Sequence, residues 1–508
     1  MKLKELCRAA GIECPTEAAD ESIDQIVTDS KKTANGTLFV CIRGLHTDGH
    51  TYITDAVKNG CRCVLVEEGV SFACFPNVCY LIAKSTRHAA ARLYHAWYGF
   101  PTEHLRMIGV TGTNGKTSVT YLLRAILEAA GFRCGLIGTV GCESLGKRLD
   151  VASPNRLANM TTPEPEELYR TLASMKEDGV EYVLMEVSSH ALAMGRVDPI
   201  QFDVGIFTNL SPEHLDFHQT MEEYAAVKAQ LFERSVLSVV NLDSPYAEVM
   251  QAAAAGRLLT CSQKWAADYV ACSREPPTMK GISYDLRVQG QRLRIDCPIP
   301  CSFSVTNSMQ AAIVALEFGV LPTTVQKALG AFCGVRGRME RVELNGEADF
   351  SVWIDYAHTP DALEKLLQSI SQMRRNGGRL VVLFGCGGDR DTKKRPEMGR
   401  IASLYADFVV VTSDNCRRED PQRIIEDILS GMDPDTPRCV ISDRAEAIRF
   451  AVRTARPSDV ILLAGKGHED YEIKGDQRIP FCEKTLVQEA YAKRIENLSD
   501  KKEKESDS

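Results

Sequence analysis

The stretch 111–117, Thr-Gly-Thr-Asn-Gly-Lys-Thr, has the residue types and spacing that hold a phosphate. Gly112 and Gly115 allow backbone N–H groups to turn inward, Lys116 adds a positive charge, and the last threonine offers a hydroxyl to Mg²⁺. The strict P-loop pattern has a glycine five residues before Gly115, where this chain has Val110. A glycine turn beside a surface lysine is the alternative interpretation. The strand–loop–helix context favours phosphate binding.

Two regular elements must position this loop. The apolar run 107–110 predicts a buried parallel strand before it, and apolar residues at helical spacing from Val119 to Leu127, followed by Gly131, predict a helix after it. The pattern of strand, loop and helix recurs along the chain, which predicts the α/β class with three domains. The three are a small N-terminal α/β domain (1–98), a central P-loop ATPase-like domain with a parallel or mixed sheet (99–335) and a C-terminal Rossmann-like doubly wound domain (336–493). A charged tail (494–508), which we expect to be disordered, follows them.

Polar residues at later strand ends could bind a metal ion. Glu186 lies in a buried-type strand, where it could serve a nucleotide-bound Mg²⁺ or pair with a core cation. Glu213, His214, Asp216 and His218 follow another strand and form a candidate metal or catalytic cluster. A hydrogen-bonded structural role is the alternative for His214.

Lys228 falls on the apolar face of a predicted helix, with Tyr224, Ala225, Leu231 and Phe232 one turn away. The side chain could extend its charged end to solvent. If it is instead desolvated, its pKa falls and the neutral amine becomes reactive. A neutral lysine can add CO₂ to form a carbamate, which is an oxygen ligand for metal.

The predicted C-terminal sheet has several polar loops at strand ends. Residues 385–391, 412–421 and 464–470 are rich in glycine and charge, and 355–360 leads into a helix capped by Thr359. Carboxyl ends of parallel strands share one edge, so these loops predict a polar binding site there.

The composition excludes several classes of protein. A net charge of −8 gives no reason to expect nucleic-acid or membrane affinity. The 18 cysteines are irregularly spaced without a CxxC pair, which predicts reduced thiols. We find neither a signal-peptide pattern nor an apolar run of membrane-spanning length, so we expect a cytoplasmic protein.

Five motifs together resemble the Mur ligase family, the ATP-dependent amide-forming enzymes of peptidoglycan synthesis. They are 111–117 (TGTNGKT), 186–190 (EVSSH), 355–360 (DYAHTP), 385–391 (GCGGDRD) and 465–469 (GKGHE). The resemblance covers nearly the whole chain except the tail, and the TGTNGKT form of the loop accounts for its displaced glycine. Within the family, the chain is most similar to the ligases that extend UDP-N-acetylmuramoyl-L-alanyl-D-glutamate.

The resemblance implies a function and its cofactors. ATP would phosphorylate the terminal carboxylate of the substrate, and an incoming amine would displace phosphate from the acyl phosphate. ATP and Mg²⁺ are the implied cofactors, and the implied partners are small-molecule substrates, with a monomeric enzyme. By resemblance the N-terminal domain would bind UDP, the central domain ATP and the C-terminal domain the amino acid.

The resemblance also assigns individual residues. The residues implied for ATP are Gly112, Thr113, Asn114, Gly115, Lys116, Thr117, Ser118, Asn307, Arg341 and Asp355. Those implied for Mg²⁺ are Thr117, Glu186, His214 and Lys228, with Lys228 carbamylated to N6-carboxylysine; Lys116, Lys228 and His214 would be catalytic. Those implied for the UDP-linked dipeptide are Ser30, Gly44, Leu45, His46, Thr161, Thr162, Ser188 and Arg196.

The choice of amino acid would depend on the C-terminal domain. Members that add diaminopimelate carry Asp-Asn-Pro-Arg, and this chain has Asp-Asn-Cys-Arg at 414–417. An arginine can grip the distal carboxylate of meso-2,6-diaminopimelate, a group that L-lysine lacks. The implied contacts are Arg390, Asp414, Asn415, Cys416, Arg417, Gly465 and Glu469. The alternatives are a ligase that adds L-lysine or another diamino acid, a folylpolyglutamate synthetase-like ligase, and a nucleotide-binding protein without ligase activity.

Overall fold

The computed structural model describes residues 1–44, 47–149, 160–273, 275–288, 290–345, 348–374 and 378–506. Within these ranges the chain forms sheets of four, eleven and six strands and one separate two-stranded hairpin. Helices cover the sheets, which confirms the predicted α/β class with parallel and mixed sheets. Two predicted contact residues, Leu45 and His46, lie outside the described residues.

The N-terminal part carries the four-stranded sheet, whose strands are parallel and follow chain order. Short 3-10 helices at Ser30–Lys32 and Gly49–Tyr52 lie in its loops. Its helices and strands are α1 Leu3–Ala10, β1 Gln25–Val27, β2 Thr37–Val40, α2 Ile53–Lys58, β3 Cys63–Glu67, β4 Cys79–Ala83 and α3 Thr86–Trp97.

The central part carries the eleven-stranded mixed sheet. Its elements are β5 Arg106–Thr111, α4 Lys116–Ala129, β6 Cys134–Gly138, β7 Gly141–Ser144, β8 Lys147–Leu149, α5 Pro165–Glu177, β9 Tyr182–Glu186, α6 Ser189–Ala193, β10 Phe202–Phe207, α7 Leu215–His218, α8 Met221–Glu233, β11 Ser235–Asn241, α9 Ala247–Ala252, β12 Arg257–Ser262, β13 Tyr269–Ser273, β14 Ile282–Val288, β15 Gln291–Cys297, α10 Phe303–Glu317 and α11 Pro322–Gly330. The strand order is β15-β14-β13-β12-β11-β10-β5-β9-β6-β7-β8, which puts β5 near the middle. The outer strands β14, β15, β7 and β8 pair antiparallel.

The C-terminal part carries the six-stranded sheet. Its elements are β16 Glu340–Arg341, β17 Ser351–Asp355, α12 Pro360–Met373, β18 Leu380–Phe384, α13 Lys394–Tyr405, β19 Phe408–Val411, α14 Pro421–Ser430, β20 Arg438–Val440, α15 Arg444–Arg453, β21 Val460–Ala464, β22 Tyr471–Lys474, β23 Gln477–Pro480 and α16 Glu483–Ser506. The order is β16-β17-β21-β18-β19-β20, parallel except for β16, and β22 and β23 form the separate hairpin.

Side chains of strand β5 alternate between two cores. Met107 packs into the cluster that also contains residues of α1 and α3, whereas Ile108 and Val110 pack with α4 and α10 on the opposite face. This alternation is the period of two of a strand buried on both faces. The central sheet is thus covered on both sides, and the phosphate-loop stretch leaves it at the carboxyl end of β5.

The last helix differs from the sequence prediction. Residues 494–508 are charged and poor in apolar residues, which predicts disorder, but α16 continues to Ser506. Val487 and Tyr491, in the first half of this helix, are buried against the last sheet, and the glutamates and lysines that follow have good helix propensity. No helix in the described ranges combines the length and the apolar character needed to cross a membrane.

Candidate active site

The phosphate-loop stretch forms a tight turn between β5 and α4. Gly112 and Gly115 have φ values of +143° and +89°. A Cβ atom added to Gly112 would lie 1.9 Å from the Thr208 hydroxyl oxygen, so the turn requires glycine there. The Lys116 Nζ donates to the carbonyl oxygens of Gly112 (2.9 Å) and Thr113 (2.8 Å), and burial lowers the pKa of Lys116. The loop therefore holds a cation at the N-terminus of α4, where anions bind.

Glu186 connects this loop to the neighbouring strand. It ends β9, is 1% exposed, and its Oε1 accepts hydrogen bonds from the Thr117 hydroxyl (2.9 Å) and the Thr139 N–H (3.0 Å). Its Oε2 accepts from the Thr139 hydroxyl at 2.9 Å. A carboxylate and a hydroxyl side by side supply the oxygen ligands that Mg²⁺ prefers, so these two residues fit the predicted metal.

Lys228 lies inside the protein and points at the same loop. It is 1% exposed, its Nζ donates to the Gly112 carbonyl oxygen at 3.0 Å, and it lies 4.7 Å from the Tyr224 ring centroid. The lysine therefore does not reach solvent. Burial, with the Lys116 ammonium as a second cause, holds the pKa of Lys228 well below its usual value. A neutral amine beside the phosphate loop is the form that can add CO₂.

The loop 211–218 divides its polar residues between two surroundings. His214 has a φ of +57°, its side chain is 45% exposed, and its ring packs against that of His190 at 4.7 Å. His218 is fully buried, and its Nε2 lies 2.9 Å from the Ser189 hydroxyl. Within the described residues no three His, Cys, Asp or Glu side chains form a group that could hold a metal ion.

The phosphate loop also contacts the C-terminal part of the chain. Asp361, in the first turn of α12, accepts hydrogen bonds from the Asn114 amide (3.1 Å) and the Ser211 hydroxyl (2.9 Å). Nearby, Glu213 Oε1 lies 3.7 Å from His358 Nε2. Two loops of the central sheet are thus joined to the start of one helix of the last sheet.

Arg338, which was not among the residues predicted for the nucleotide, contacts the phosphate loop. Arg341 lies exposed on β16. Arg338 instead donates from Nη2 to the Thr117 hydroxyl at 3.2 Å and lies over the Tyr356 ring, with its Cζ 4.7 Å from the centroid. The family resemblance pointed to Arg341 and gave no signal for Arg338, because the directions of the two side chains depend on the fold of the preceding turn, where φ at Gly337 is +67°.

Of the other residues predicted for the nucleotide, Asn307 lies against the phosphate loop and Asp355 lies near Arg338. A Cβ atom added to Gly115 would lie 2.6 Å from the Asn307 side-chain oxygen, which puts this amide against the loop. Asp355 ends β17, and its two oxygens accept from the Met339 N–H (2.7 Å) and the Ala357 N–H (2.8 Å). Burial raises the pKa of Asp355.

Four of the residues predicted for the UDP-linked dipeptide gather around Glu186. Thr162 donates to the Glu186 carbonyl oxygen (2.8 Å) and accepts from the Ser188 N–H (3.1 Å). Arg196, 6% exposed, donates to the Thr162 carbonyl oxygen at 2.9 Å, and the Thr161 hydroxyl lies 3.1 Å from that of Thr139.

Ser30 and Gly44 belong to loops of the first sheet instead. Ser30 opens a 3-10 helix, and the Gly44 N–H donates to the Thr47 carbonyl oxygen at 2.7 Å. Arg87 on α3 links this loop of the first sheet to the central part of the chain. Its guanidinium donates to the Arg43 carbonyl oxygen at 2.5 Å and lies 4.0 Å from the sulfur of Met194, which follows α6.

The residues predicted for the amino acid meet at the carboxyl ends of β18, β19 and β21. Arg417, with a φ of +51°, donates from Nη1 to the Gly388 carbonyl oxygen at 2.7 Å. Burial, followed by the nearby Arg390, lowers the pKa of Arg417. Asn415 donates to Glu469 Oε2 at 2.7 Å. The exposed Arg390 lies on the loop that follows β18 and is close enough to Arg417 to lower its pKa.

The remaining members of this group shape the loops. A Cβ atom added to Gly465 would lie 3.0 Å from Asp414 Oδ2, and φ at Gly465 is +110°. Cys416, which stands where the diaminopimelate-adding members have proline, is 6% exposed, and burial raises the pKa of its thiol. Cys416 belongs to the apolar core of the C-terminal part.

Three family models match the chain in succession. They are described as "Mur ligase family, catalytic domain" over residues 22–96, "Mur ligase middle domain" over 110–315, and "Mur ligase, glutamate ligase domain" over 337–467. Together they cover the three large sheets.

Individual proteins are similar over nearly the full length. The chain is 42% identical over 472 residues to the UDP-N-acetylmuramoyl-L-alanyl-D-glutamate–2,6-diaminopimelate ligase of Caldanaerobacter subterraneus subsp. tengcongensis, covering 92% of this chain and 95% of the relative. It is 41% identical over 496 residues to the protein of the same name from Syntrophomonas wolfei, covering 96% and 99%. A solved structure with that name is 29% identical, has a TM-score of 0.67 and aligns over 97% of this chain and all of that one.

Proposed function

Because the chain belongs to the Mur ligase family, we propose that it joins meso-2,6-diaminopimelate to UDP-N-acetylmuramoyl-L-alanyl-D-glutamate at the expense of ATP. The observation that carries this proposal is the contact between two regions: the phosphate loop, with Lys116 and Lys228, touches the C-terminal part through Asp361 and Arg338. An ATP site and an amino-acid site on opposite sides of such a contact are what a ligase of this type needs.

The reaction proceeds in two steps. A carboxylate oxygen of the D-glutamyl residue attacks the γ-phosphorus of ATP, and the bond to the β-phosphate oxygen breaks, which leaves an acyl phosphate and ADP. The amine of the amino acid then attacks the acyl carbon, the amide forms, and phosphate leaves with the C–O bond electrons while the amine loses a proton. Little covalent chemistry falls to the protein, which positions the groups and balances their charge.

The side chains around the loop divide this work. Lys116 and the N-terminus of α4 hold the phosphates, and Arg338 places a further cation beside Thr117. Thr117 and Glu186, with His214 and a carbamylated Lys228, would hold Mg²⁺. When bound, Mg²⁺ neutralises the charge that builds up between the phosphate groups.

Carbamylation of Lys228 follows from its environment. The neutral amine attacks CO₂, a C–N bond forms, and one proton is released, which replaces a buried neutral amine by an anion with two oxygen atoms. That change would supply an oxygen ligand near Lys116 and place a negative charge beside the Lys116 ammonium.

The amino-acid site favours diaminopimelate over L-lysine. Arg417 and Arg390 can bind the distal carboxylate, and the Glu469 carboxylate suits the distal ammonium. L-lysine lacks that carboxylate, so binding it would leave the arginines without their anion.

We further infer which part of the chain binds which substrate: residues 1–98 bind the UDP end, 99–335 bind ATP, and 336–493 bind the amino acid.

The protein acts as a monomer, since one chain carries every residue assigned to the site. All 18 cysteines are free thiols, which supports action in a reducing compartment such as the cytoplasm.

The test is phosphate release from ATP with Mg²⁺ and the UDP-linked dipeptide, comparing diaminopimelate with L-lysine at equal concentration. We expect release to depend on both the dipeptide and diaminopimelate. A preference for L-lysine would contradict the choice of amino acid. Nucleotide binding without phosphate release would indicate a binding protein, and release with a folate and glutamate would indicate the folylpolyglutamate reaction.

A further inference from the structure

We propose that Lys466 is a positioning residue of the amino-acid site, which orients Asn415 and Glu469 and thereby sets the affinity for the incoming diamino acid. The proposal rests on the proposed function, because it concerns the same site. Lys466 itself is fully buried and does not line the surface on which a substrate would bind.

The Lys466 ammonium is surrounded by acceptors. Its Nζ donates to the Tyr471 carbonyl oxygen (2.7 Å) and the Asn415 side-chain oxygen (3.1 Å), and it lies 3.4 Å from Asp414 Oδ1 and 3.6 Å from Glu469 Oε2. A buried ammonium is costly unless its charge is compensated. Here two carboxylates and two neutral oxygens compensate it, so Lys466 holds three segments of chain at fixed distances.

The orientation of Asn415 follows from this arrangement. Its side-chain oxygen accepts from both Lys466 Nζ and the Ile473 N–H (2.9 Å), so the oxygen faces two donors. The amide nitrogen must then point the other way, where it donates to Glu469 Oε2 at 2.7 Å. Lys466 therefore fixes Glu469 both directly and through Asn415.

Charge adds to this geometric effect. Burial raises the pKa of Glu469, and the neighbouring Asp414 carboxylate raises it further, while Lys466 opposes the shift. At Asp414, burial is outweighed by the Lys466 ammonium and the Arg444 guanidinium, which hold its pKa below the usual value. Without Lys466, two buried carboxylates would repel each other, and Glu469 would lose part of the negative charge that suits a substrate ammonium.

The same lysine also ties the hairpin to the arginine loop. Tyr471, whose carbonyl it binds, begins β22. Two residues further along β22, the Ile473 carbonyl oxygen accepts from the Arg417 N–H (3.1 Å). The Gly475 N–H, just after β22, donates to the Arg417 carbonyl oxygen (2.7 Å). The hairpin thus holds the backbone of Arg417 in its left-handed conformation. A shift of β22 would move the guanidinium that binds the distal carboxylate.

The test replaces Lys466 by methionine, which keeps the length and removes the charge, and by glutamine, which keeps one donor. We expect the KM for diaminopimelate to rise at least about tenfold in the Lys466→Met variant and less in Lys466→Gln. The KM values for ATP and the UDP-linked dipeptide should change less than about twofold, because their assigned residues lie elsewhere. A merely structural role would not separate the three KM values in this way.

The matched control is Arg379→Met. Arg379 pairs with the buried Asp459 at 2.6 Å in the same sheet. This pair lies at the amino ends of β18 and β21, whereas the amino-acid site lies at their carboxyl ends. This variant also leaves a buried acid without its cation, so it should lower the thermal unfolding midpoint while the KM for diaminopimelate stays unchanged. An equal KM increase in the control would reject the proposal.

A second measurement tests the route through Asn415. In a double-mutant cycle of Lys466→Met with Asn415→Ala, the effects on the KM for diaminopimelate should be less than additive, because both changes release Glu469. The positioning role would be overturned by full additivity, or by an unchanged KM in folded Lys466→Met. Failure of both Lys466 variants to fold would also overturn it. If the unmodified protein shows no ligase activity, the proposed function fails first, and this inference falls with it.

Discussion

The side-chain amide of Asn114 donates a hydrogen bond of 3.1 Å to the carboxylate of Asp361, a residue 247 positions later in the chain. The first belongs to the phosphate loop and the second to the first turn of α12. The Ser211 hydroxyl donates to the same carboxylate oxygen at 2.9 Å. One partly exposed acid therefore connects two loops of the central sheet to the first turn of α12 beside the C-terminal sheet.

Replacing Asp361 by alanine should weaken this connection. Hydrogen bonds to charged groups contribute about 1.5–3 kcal/mol each, and Asp361 accepts two of them, so we expect kcat/KM to fall at least about 100-fold. Lys365→Ala is the control, because its exposed ion pair with Asp361 should matter little. Steady-state phosphate release measures both variants. Full activity of Asp361→Ala would show that the connection is not used in turnover.

Arg338 and Arg341 provide a direct test of which arginine serves the phosphates. Arg338 contacts Thr117, whereas Arg341 lies exposed on β16. Removing a positioned cation from an enclosed phosphate site typically costs about 100-fold or more in kcat, so Arg338→Met should show this loss. Arg341→Met should remain within about twofold of the unmodified protein. Both variants are measured at saturating ATP. A larger loss of kcat in Arg341→Met than in Arg338→Met would support the assignment of Arg341 to the nucleotide.

Lys228→Ala should abolish most ligase activity and respond to added carboxylates. The variant removes the side chain that would become a carbamate, and a small acid such as formate or acetate can supply oxygen ligands in the space left behind. We expect partial recovery of phosphate release in the variant and no gain in the unmodified protein. Unchanged turnover of Lys228→Ala would remove this residue from the mechanism.

Arg417→Gln should reduce the preference for diaminopimelate. The variant keeps a donor but loses the charge, so we expect the KM for diaminopimelate to rise about 10- to 100-fold while the weak use of L-lysine stays nearly constant. Arg418→Gln is a matched control, since Arg418 is adjacent, 73% exposed and paired with Asp476. An equal rise of the KM for diaminopimelate in the two variants would argue against specific binding of the distal carboxylate by Arg417.

His358 predicts a pH dependence of stability. Burial, with the Lys394 ammonium as the second cause, lowers the pKa of His358 to about 4. Between its unfolded pKa of about 6.5 and 4, the unfolded chain binds more protons at this site than the folded chain, so the stability falls as pH falls through this window.

The measurement compares thermal unfolding midpoints at pH 7 and pH 5. His358→Gln should reduce the loss of midpoint between these pH values, by about 2 °C, since the ring is 40% exposed and solvent weakens the effect. The exposed His104→Gln serves as the control for removal of a histidine. The same pH slope in His358→Gln and the unmodified protein would contradict the prediction.

Local patterns predicted much of the fold. The strand β5 and helix α4 follow from an apolar run and an apolar face, and the Thr359 hydroxyl caps α12 as expected, accepting from the Ala362 N–H at 3.4 Å. The helical tail to Ser506 was missed because a charged, apolar-poor composition was taken to mean disorder, although glutamate and lysine are good helix formers.

The glycine turn at 112–115, the α/β class and the family could be predicted from the sequence, because glycine conformations, hydrophobic period and short motifs act within one turn or strand. Four relations are visible only in the folded protein: Arg338 faces Thr117, Lys228 is enclosed, Asp361 contacts Asn114, and Lys466 lies among four acceptors. These relations join residues that are far apart in the chain. Their directions and burial depend on how whole elements pack, and no local pattern encodes that packing.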